Sequence, residues 1–340
     1  MEEVTSKDGL LCTFGNNCSF GNIRFENKTL LSVDIFLLSK LHSWEDYIVA
    51  VYLLTVGLFS TLLNGLVVYV CVRKIKSLVA CDFYILNLAI IDICMPVFGF
   101  PLTIYSSFAH QLIIGKYLCA AYGFIGFFTG VVSIATLAAI SYARYIKVCG
   151  VGHADTVLNN TKVLIFGIYM YATFWACLPV FGVGAYGPEP YGTSCTLEWH
   201  GHKVFVTFFL ILCVILPVIV MNVSYLKILI HIRRSRRRAK RTVANVGTTL
   251  KKRDSYLLKM TFTMCVGFVG LWSPYAVVSL WTAYGRIGEV PVRITLSAVL
   301  LAKLSTIVNP LVYFMLNKKF RPIVSKYLTG ISQWCLVYAT

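Results

Sequence analysis

The stretch from Val292 to Leu316 reads VRITLSAVLLAKLSTIVNPLVYFML. Beyond Arg293 at its start, the only charged side chain is Lys303, about midway along. At about 1.5 Å per residue, a helix of this length exceeds the roughly 30 Å hydrocarbon core of a bilayer, so a spanning helix is predicted. A lysine so deep cannot easily reach either surface. Insertion scales put a charge there at a cost of about 2.5–3.5 kcal/mol, which makes it a functional hypothesis by default. The neutral amine is a nucleophile, and with an aldehyde its natural product is a Schiff base. The plainer alternative is an ion pair with a buried acid such as Asp92.

Six further apolar stretches of spanning length precede it: Glu45–Val72, Cys81–Ser106, Tyr117–Val148, Val163–Gly182, Val204–His231 and Tyr256–Tyr284. The whole chain of 340 residues agrees, being 58% hydrophobic and only 13% charged, with mean hydropathy +0.74. That leaves too little polar surface to cover a water-soluble globule. The fold class is therefore an all-α membrane protein, a bundle of seven transmembrane helices. After the last span, basic and apolar residues interleave from Asn317 to Leu328, as for a short amphipathic helix on the membrane surface. The organisation is a tail over 1–43, the seven-helix domain over 44–316, and the surface helix with a short tail over 317–340.

The net charge of +17 is not spread evenly: 11 of the 31 Lys and Arg lie between Arg233 and Lys259. Basic clusters beside apolar spans mark cytoplasmic loops, so the run is read as a membrane-flanking loop and not as a nucleic-acid patch. An odd number of spans then puts the C-terminus inside and the N-terminus outside, with the plasma membrane as location. Sequons at Asn17 and Asn27 fit an outside, glycosylated N-terminal tail. The start, MEEVTSKDGL, has no apolar core of a cleavable signal. Most of the 12 cysteines fall in apolar runs; Cys12, Cys18, Cys119 and Cys195 fall on the outer side. No metal-ligand cluster stands out. Gly182-Val183-Gly184-Ala185-Tyr186-Gly187 has dinucleotide-loop spacing without the strand and helix that chemistry requires, and is set aside.

Among the prolines within spans, three help to mark a pattern: Pro217, the one in Trp272-Ser273-Pro274-Tyr275 and the one in Asn309-Pro310-Leu311-Val312-Tyr313. Each frees a backbone carbonyl that neighbours or water must satisfy. Taken in order, Asn64, Asp92, Arg144, Pro217, Tyr225, Trp272-x-Pro274 and Asn309-Pro310-x-x-Tyr313 form a specific pattern.

On these residues the chain resembles the rhodopsin-like (class A) G-protein-coupled receptors from about Trp44 to Leu328. Within them it resembles the opsins, because Lys303 lies six positions before Asn309, where opsins attach retinal. The stretch Tyr186–Trp199 and Arg144-Tyr145-Ile146-Lys147-Val148-Cys149 are most similar to the neuropsin group of non-visual opsins. The resemblance implies a covalent retinal on Lys303 and a disulfide between Cys119 and Cys195. It implies Glu189 as counterion, since Tyr122 stands at the usual vertebrate counterion position and the third span holds no acid. It further implies a pocket wall of Tyr122, Gly130, Phe209, Phe268, Trp272 and Tyr275, and activation switches at Asp92, Arg144, Tyr225, Asp254, Asn309 and Tyr313. Two departures stand out. Ala143 replaces the acid that usually precedes Arg144, leaving Asp254 as its remaining partner, and Tyr169 replaces the tryptophan usual in the fourth span.

The implied function is a light receptor, not an enzyme, that activates a heterotrimeric G protein, with arrestin, a receptor kinase and membrane lipid as further partners and no nucleic acid. The alternative is a retinal photoisomerase with little or no coupling. A light-driven ion pump would need carboxylates along the third span, where none occurs. A receptor for a diffusible ligand would form no pigment.

Overall fold

The computed structural model describes residues 11–13, 17–19, 37–73, 75–150, 159–241, 252–286 and 288–316. The chain divides into two compact units, Met1–Asp34 and Ile35–Thr340. In the first, strands β1 (Leu11–Thr13) and β2 (Asn17–Ser19) form an antiparallel pair.

The second unit is built, among its described residues, from seven long helices: α1 (Ser43–Arg73), α2 (Ala80–Phe108), α3 (Lys116–Cys149), α4 (Thr161–Cys177), α5 (Lys203–Arg241), α6 (Lys252–Tyr284) and α7 (Val292–Leu316). Two short antiparallel pairs close one end. β3 (Leu37–Leu38) pairs with β4 (Gln111–Leu112), and β5 (Tyr186–Pro188) with β6 (Cys195–Leu197). Six helices are long and apolar enough to cross a membrane, and α4, at 17 residues, sits at the lower edge of the spanning range. Apolar side chains also face outward, among them Leu54, Leu58 and Leu62 on α1 and Val163, Phe166, Met170 and Phe174 on α4. Helices apolar all round suit a lipid environment, and the chain is a multi-pass membrane protein.

Two helix ends differ from the sequence expectation. α4 stops at Cys177 and not at Gly182, because Pro179 offers no N–H to continue the ladder. α5 runs on past His231 to Arg241, since arginine and lysine are good helix formers outside the apolar core. The amphipathic helix expected over 317–328, and the sequon at Asn27, lie outside the described residues.

The carbonyls freed by proline find partners. Pro96 leaves the Asp92 carbonyl without its helical donor, and Ser60 Oγ on α1 donates to it at 3.1 Å. Pro310 leaves the Thr306 carbonyl, which accepts from Asn64 Nδ2 at 2.9 Å and from the same Ser60 Oγ at 3.3 Å. Pro274 leaves the Gly270 carbonyl to Ser273 Oγ at 3.1 Å. Around Pro96 and just before Pro217 the helix also widens by one residue per turn, over Met95–Gly99 and Leu210–Ile215. There the Phe100 N–H reaches the Met95 carbonyl and the Leu216 N–H reaches that of Ile211. Such wide turns re-aim side chains on the following segment and recur at functional sites.

Candidate functional site

A cavity of about 170 Å³ opens among α2, α3, α5, α6, α7 and the β5–β6 hairpin. One water needs only about 15 Å³, so the space suits a sizeable ligand. The disulfide Cys119–Cys195 ties β6 to the first turn of α3 and so seats the hairpin over the cavity. The hairpin turn folds back through Gly192, whose φ of 91° favours glycine; a Cβ there would also come within 2.8 Å of the Leu38 carbonyl. That turn buries Glu189 and Tyr191, and the Glu189 N–H donates to the Ser194 carbonyl at 2.8 Å.

Lys303 on α7 lines this cavity, and its Nζ is 2.6 Å from the Tyr122 hydroxyl on α3. The nitrogen also lies 5.1 Å from the ring centres of Phe100 and Tyr122, where an aromatic face attracts a cation. Thr103 Oγ1 donates to the Tyr122 hydroxyl at 2.9 Å and contacts Ser194 Oγ at 3.3 Å. A second chain starts at Thr196, whose hydroxyl meets that of Tyr275 at 2.6 Å. Tyr275 in turn donates to Glu189 Oε1 at 3.0 Å. Burial pushes the Glu189 carboxyl up to about 7, against the Tyr275 hydrogen bond and the Lys303 charge, which favour its ionised form. Glu189 Oε2 has no hydrogen-bond partner among the described residues. A buried carboxylate oxygen left open in a cavity that also holds an amine is suited to balance a cation there. Burial also raises the Tyr191 phenol, with the neighbouring Glu189 charge as the next cause.

The walls are aromatic. Phe268 and Trp272 stack at 5.5 Å, Trp272 meets Tyr275 edge-on at 6.2 Å, and Phe127 meets Phe209 at 4.6 Å. Gly130 makes room for Trp272, since a Cβ there would come 3.2 Å from the indole. The indole N–H donates to Ser305 Oγ on α7 at 3.0 Å.

The eight cavity residues expected from the sequence, Lys303, Glu189, Tyr122, Gly130, Phe209, Phe268, Trp272 and Tyr275, all line this one space. Thr103, Ser194, Thr196 and Ser305, which complete its hydrogen bonding, were not singled out in the sequence. Hydroxyls are tolerated throughout apolar helices, and no spacing betrays which of them will meet a partner. Met95 and Phe100 are further neighbours whose role follows from the wide turn between them.

The expected switch residues are dispersed, and of them Asp92 also lines the cavity. Asp92 accepts from Asn309 Nδ2 at 2.8 Å, which joins α2 to α7. Arg144 is 2% exposed, and its Nε and Nη2 have no hydrogen-bond partner among the described residues. Asp254 lies on the backbone of α6, but its side chain falls outside the described part. Tyr225 is buried with its hydroxyl 3.9 Å from Cys265 Sγ, and Tyr313 is buried beside Cys71. Asn17 lies in β2. Tyr169 packs against Phe128, while Trp175 packs against Phe205 and Phe209 behind the cavity wall.

Seven apolar helices around a lysine-bearing aromatic chamber define a seven-transmembrane receptor architecture. The sequence matches the family described as 7 transmembrane receptor (rhodopsin family) over residues 63–313. It is 37% identical over 295 residues to Opsin-5 of Homo sapiens, covering 83% of this chain and 81% of that protein. It is 30% identical over 285 residues to the visual pigment-like receptor peropsin of Homo sapiens, covering 82% and 83%. The crystal structure of squid rhodopsin matches with a TM-score of 0.76 at 25% identity, over 88% of this chain and 89% of that one. The chain belongs to the opsins of the rhodopsin-like G-protein-coupled receptor family, among the non-visual kind. Membership implies a retinal chromophore.

Proposed function

We propose that this opsin is a light receptor that holds retinal on Lys303 and activates a heterotrimeric G protein. The observation that carries the reading is the Lys303 nitrogen in an aromatic-lined cavity that also holds the buried Glu189. The donor set fits the group: an amine for the aldehyde, an open carboxylate oxygen for the resulting cation, and aromatic walls for the polyene. When bound, retinal supplies light-driven isomerisation through an imine with the Lys303 nitrogen.

The residues do the rest. Tyr122 holds the nitrogen in place, and Glu189 balances its charge through the cavity while Tyr275 and Thr196 orient the carboxylate. Trp272 fills the cavity floor and is tied to α7 through Ser305. Trp272 thereby couples the cavity to the hinge at Pro274, about which α6 would swing at its basic end. Different affinities of the two ligand shapes for the two protein states shift the population. Arg144, Tyr225 and Tyr313 then take part in the face that docks the G protein, with the N-terminus outside the cell and the basic loops inside. Arrestin and a receptor kinase use the same face.

Absorption spectra after addition of 11-cis and of all-trans retinal test the binding step. A pigment band is expected with the wild type and none with Lys303→Ala; an unchanged band in Lys303→Ala would sink the reading. Light-dependent nucleotide exchange on added G proteins tests the signalling step. One observation favours a second reading, a photoisomerase: Ala143 is buried where a carboxylate would meet Arg144. Retinal isomer turnover in light without any nucleotide exchange would establish that alternative.

A further inference from the structure

The N-terminal unit carries a pattern that light reception leaves unused. β1 and β2 hold three residues each and pair with Leu11 opposite Ser19, Cys12 opposite Cys18 and Thr13 opposite Asn17. A two-stranded hairpin this short buries too little to be stable in water by itself, yet it lies in a compact unit of its own, Met1–Asp34. Directly opposed residues of an antiparallel pair have Cα atoms about 4.5 or 5.5 Å apart. Both separations fall inside the roughly 4.4–6.8 Å that a disulfide bridges. A slip of one residue would set Cys12 against Asn17 or Ser19 and would send the two cysteines to opposite faces. The register therefore juxtaposes the two sulfur-bearing residues specifically.

The compartment agrees. β3 pairs with β4, which lies between α2 and α3, so the chain enters α1 at the end of the bundle that carries Cys119–Cys195. Residues 1–42 contain no apolar run long enough to cross a bilayer. Cys12 and Cys18 therefore face the same side of the membrane as a disulfide, and disulfides persist on oxidising sides.

We propose that Cys12 and Cys18 form a second disulfide that closes the β1–β2 hairpin, and that this bond competes with glycan attachment at Asn17. The bond forms by exchange with an oxidised dithiol carrier of the secretory compartment. The carrier's disulfide breaks, the Cys12–Cys18 bond forms, and two electrons and two protons pass to the carrier, which leaves as a dithiol. The competition follows from the sequon Asn17-Cys18-Ser19, whose middle residue is one of the bonding cysteines. Sugar transfer needs those three residues as an accessible, adaptable segment, and closure fixes them as β2 opposite Leu11–Thr13. Whichever reaction comes first on a given molecule excludes the other.

The test uses the full chain expressed in eukaryotic cells. Denatured protein is blocked with N-ethylmaleimide without reductant, then reduced, labelled with an isotopically heavy maleimide and digested for mass spectrometry. Cys119 and Cys195 serve as the internal reference, since both take the heavy label. Cys12 and Cys18 are expected to take the heavy label together in molecules free of glycan at Asn17; light label on both there would overturn the bond. In Cys12→Ser, Cys18 is expected to switch to the light label, and continued heavy label would show that it pairs elsewhere. Asn17 occupancy, read by glycosidase shift, is expected to rise at least twofold in Cys12→Ser. Molecules carrying both the glycan and the bond would overturn the competition. None of these readings depends on retinal.

Discussion

The two ends of the bundle are held together by different means. At the end closed by β5–β6, polar side chains are linked in runs: Lys303 to Tyr122, Thr103 and Ser194, and Thr196 to Tyr275 and Glu189. A disulfide seats that end. At the basic end, α6 meets α3 and α5 across an apolar cluster that includes Leu137, Met264 and Phe268. There Cys265 Sγ lies 3.3 Å from Ser141 Oγ, and the Tyr225 hydroxyl lies 3.9 Å from the same sulfur. Sulfur hydrogen bonds are weak. A chamber fastened by oxygen and disulfide, beside a mainly apolar seam of α6 against α3 and α5, puts stiffness where a ligand must be gripped and compliance where a helix must move.

Breaking the stiff end should produce the largest effect. Cys195→Ser releases β6 from α3, and loss of a native disulfide costs about 2–5 kcal/mol; the retinal-free protein in detergent is expected to melt lower and to form little pigment. Next comes Glu189. Its carboxyl is raised from 4.5 to about 7, so the folded state favours the protonated form. The folded protein then binds a proton that the unfolded chain releases, and stability falls as pH rises from about 4.5 to 7, by about 3 kcal/mol. Glu189→Gln should flatten that slope in thermal melts between pH 4 and 8; an unchanged slope would mean the carboxyl is not held neutral.

The compliant end should respond more modestly. Ala143→Glu gives Arg144 an adjacent carboxylate, and about 1 kcal/mol of added dark-state stability lowers dark nucleotide exchange about fivefold. Cys265→Val removes the thiol but keeps the bulk, and dark exchange is expected to rise about twofold. If Cys265→Val matched the effect of Cys195→Ser on melting, the contrast between the two ends would not hold.

Much of this could be read from residue types alone. Lys303 and Asp92 stood out because a charge among apolar residues has few explanations, and the seven spans because a bilayer imposes their length; Glu189, in a polar loop, was legible only through the resemblance to opsins. The aromatic wall followed from order along the spans. The hydroxyl partners did not, since Thr103 and Ser305 look like any serine or threonine that bonds its own helix. The wide turn at Leu210–Ile215 was hidden for a related reason: Pro217 announces that a carbonyl is freed, not how the preceding turn relaxes. The end of α4 was misjudged because Leu178, Val180 and Phe181 continue the apolar run past Pro179, and hydropathy does not register a missing N–H.

Ser60 has a consequence of its own. Its hydroxyl owns a single hydrogen and stands within reach of two proline-orphaned carbonyls, Asp92 on α2 and Thr306 on α7. Asn64 also serves Thr306, whereas no other side-chain donor to the Asp92 carbonyl is found among the described residues. Any shift that draws α7 away hands the whole hydrogen to α2. The kinks of two helices are thereby geared to one rotor on a third, so α1, which adds no residue to the cavity lining, helps decide which of its neighbours is free to bend.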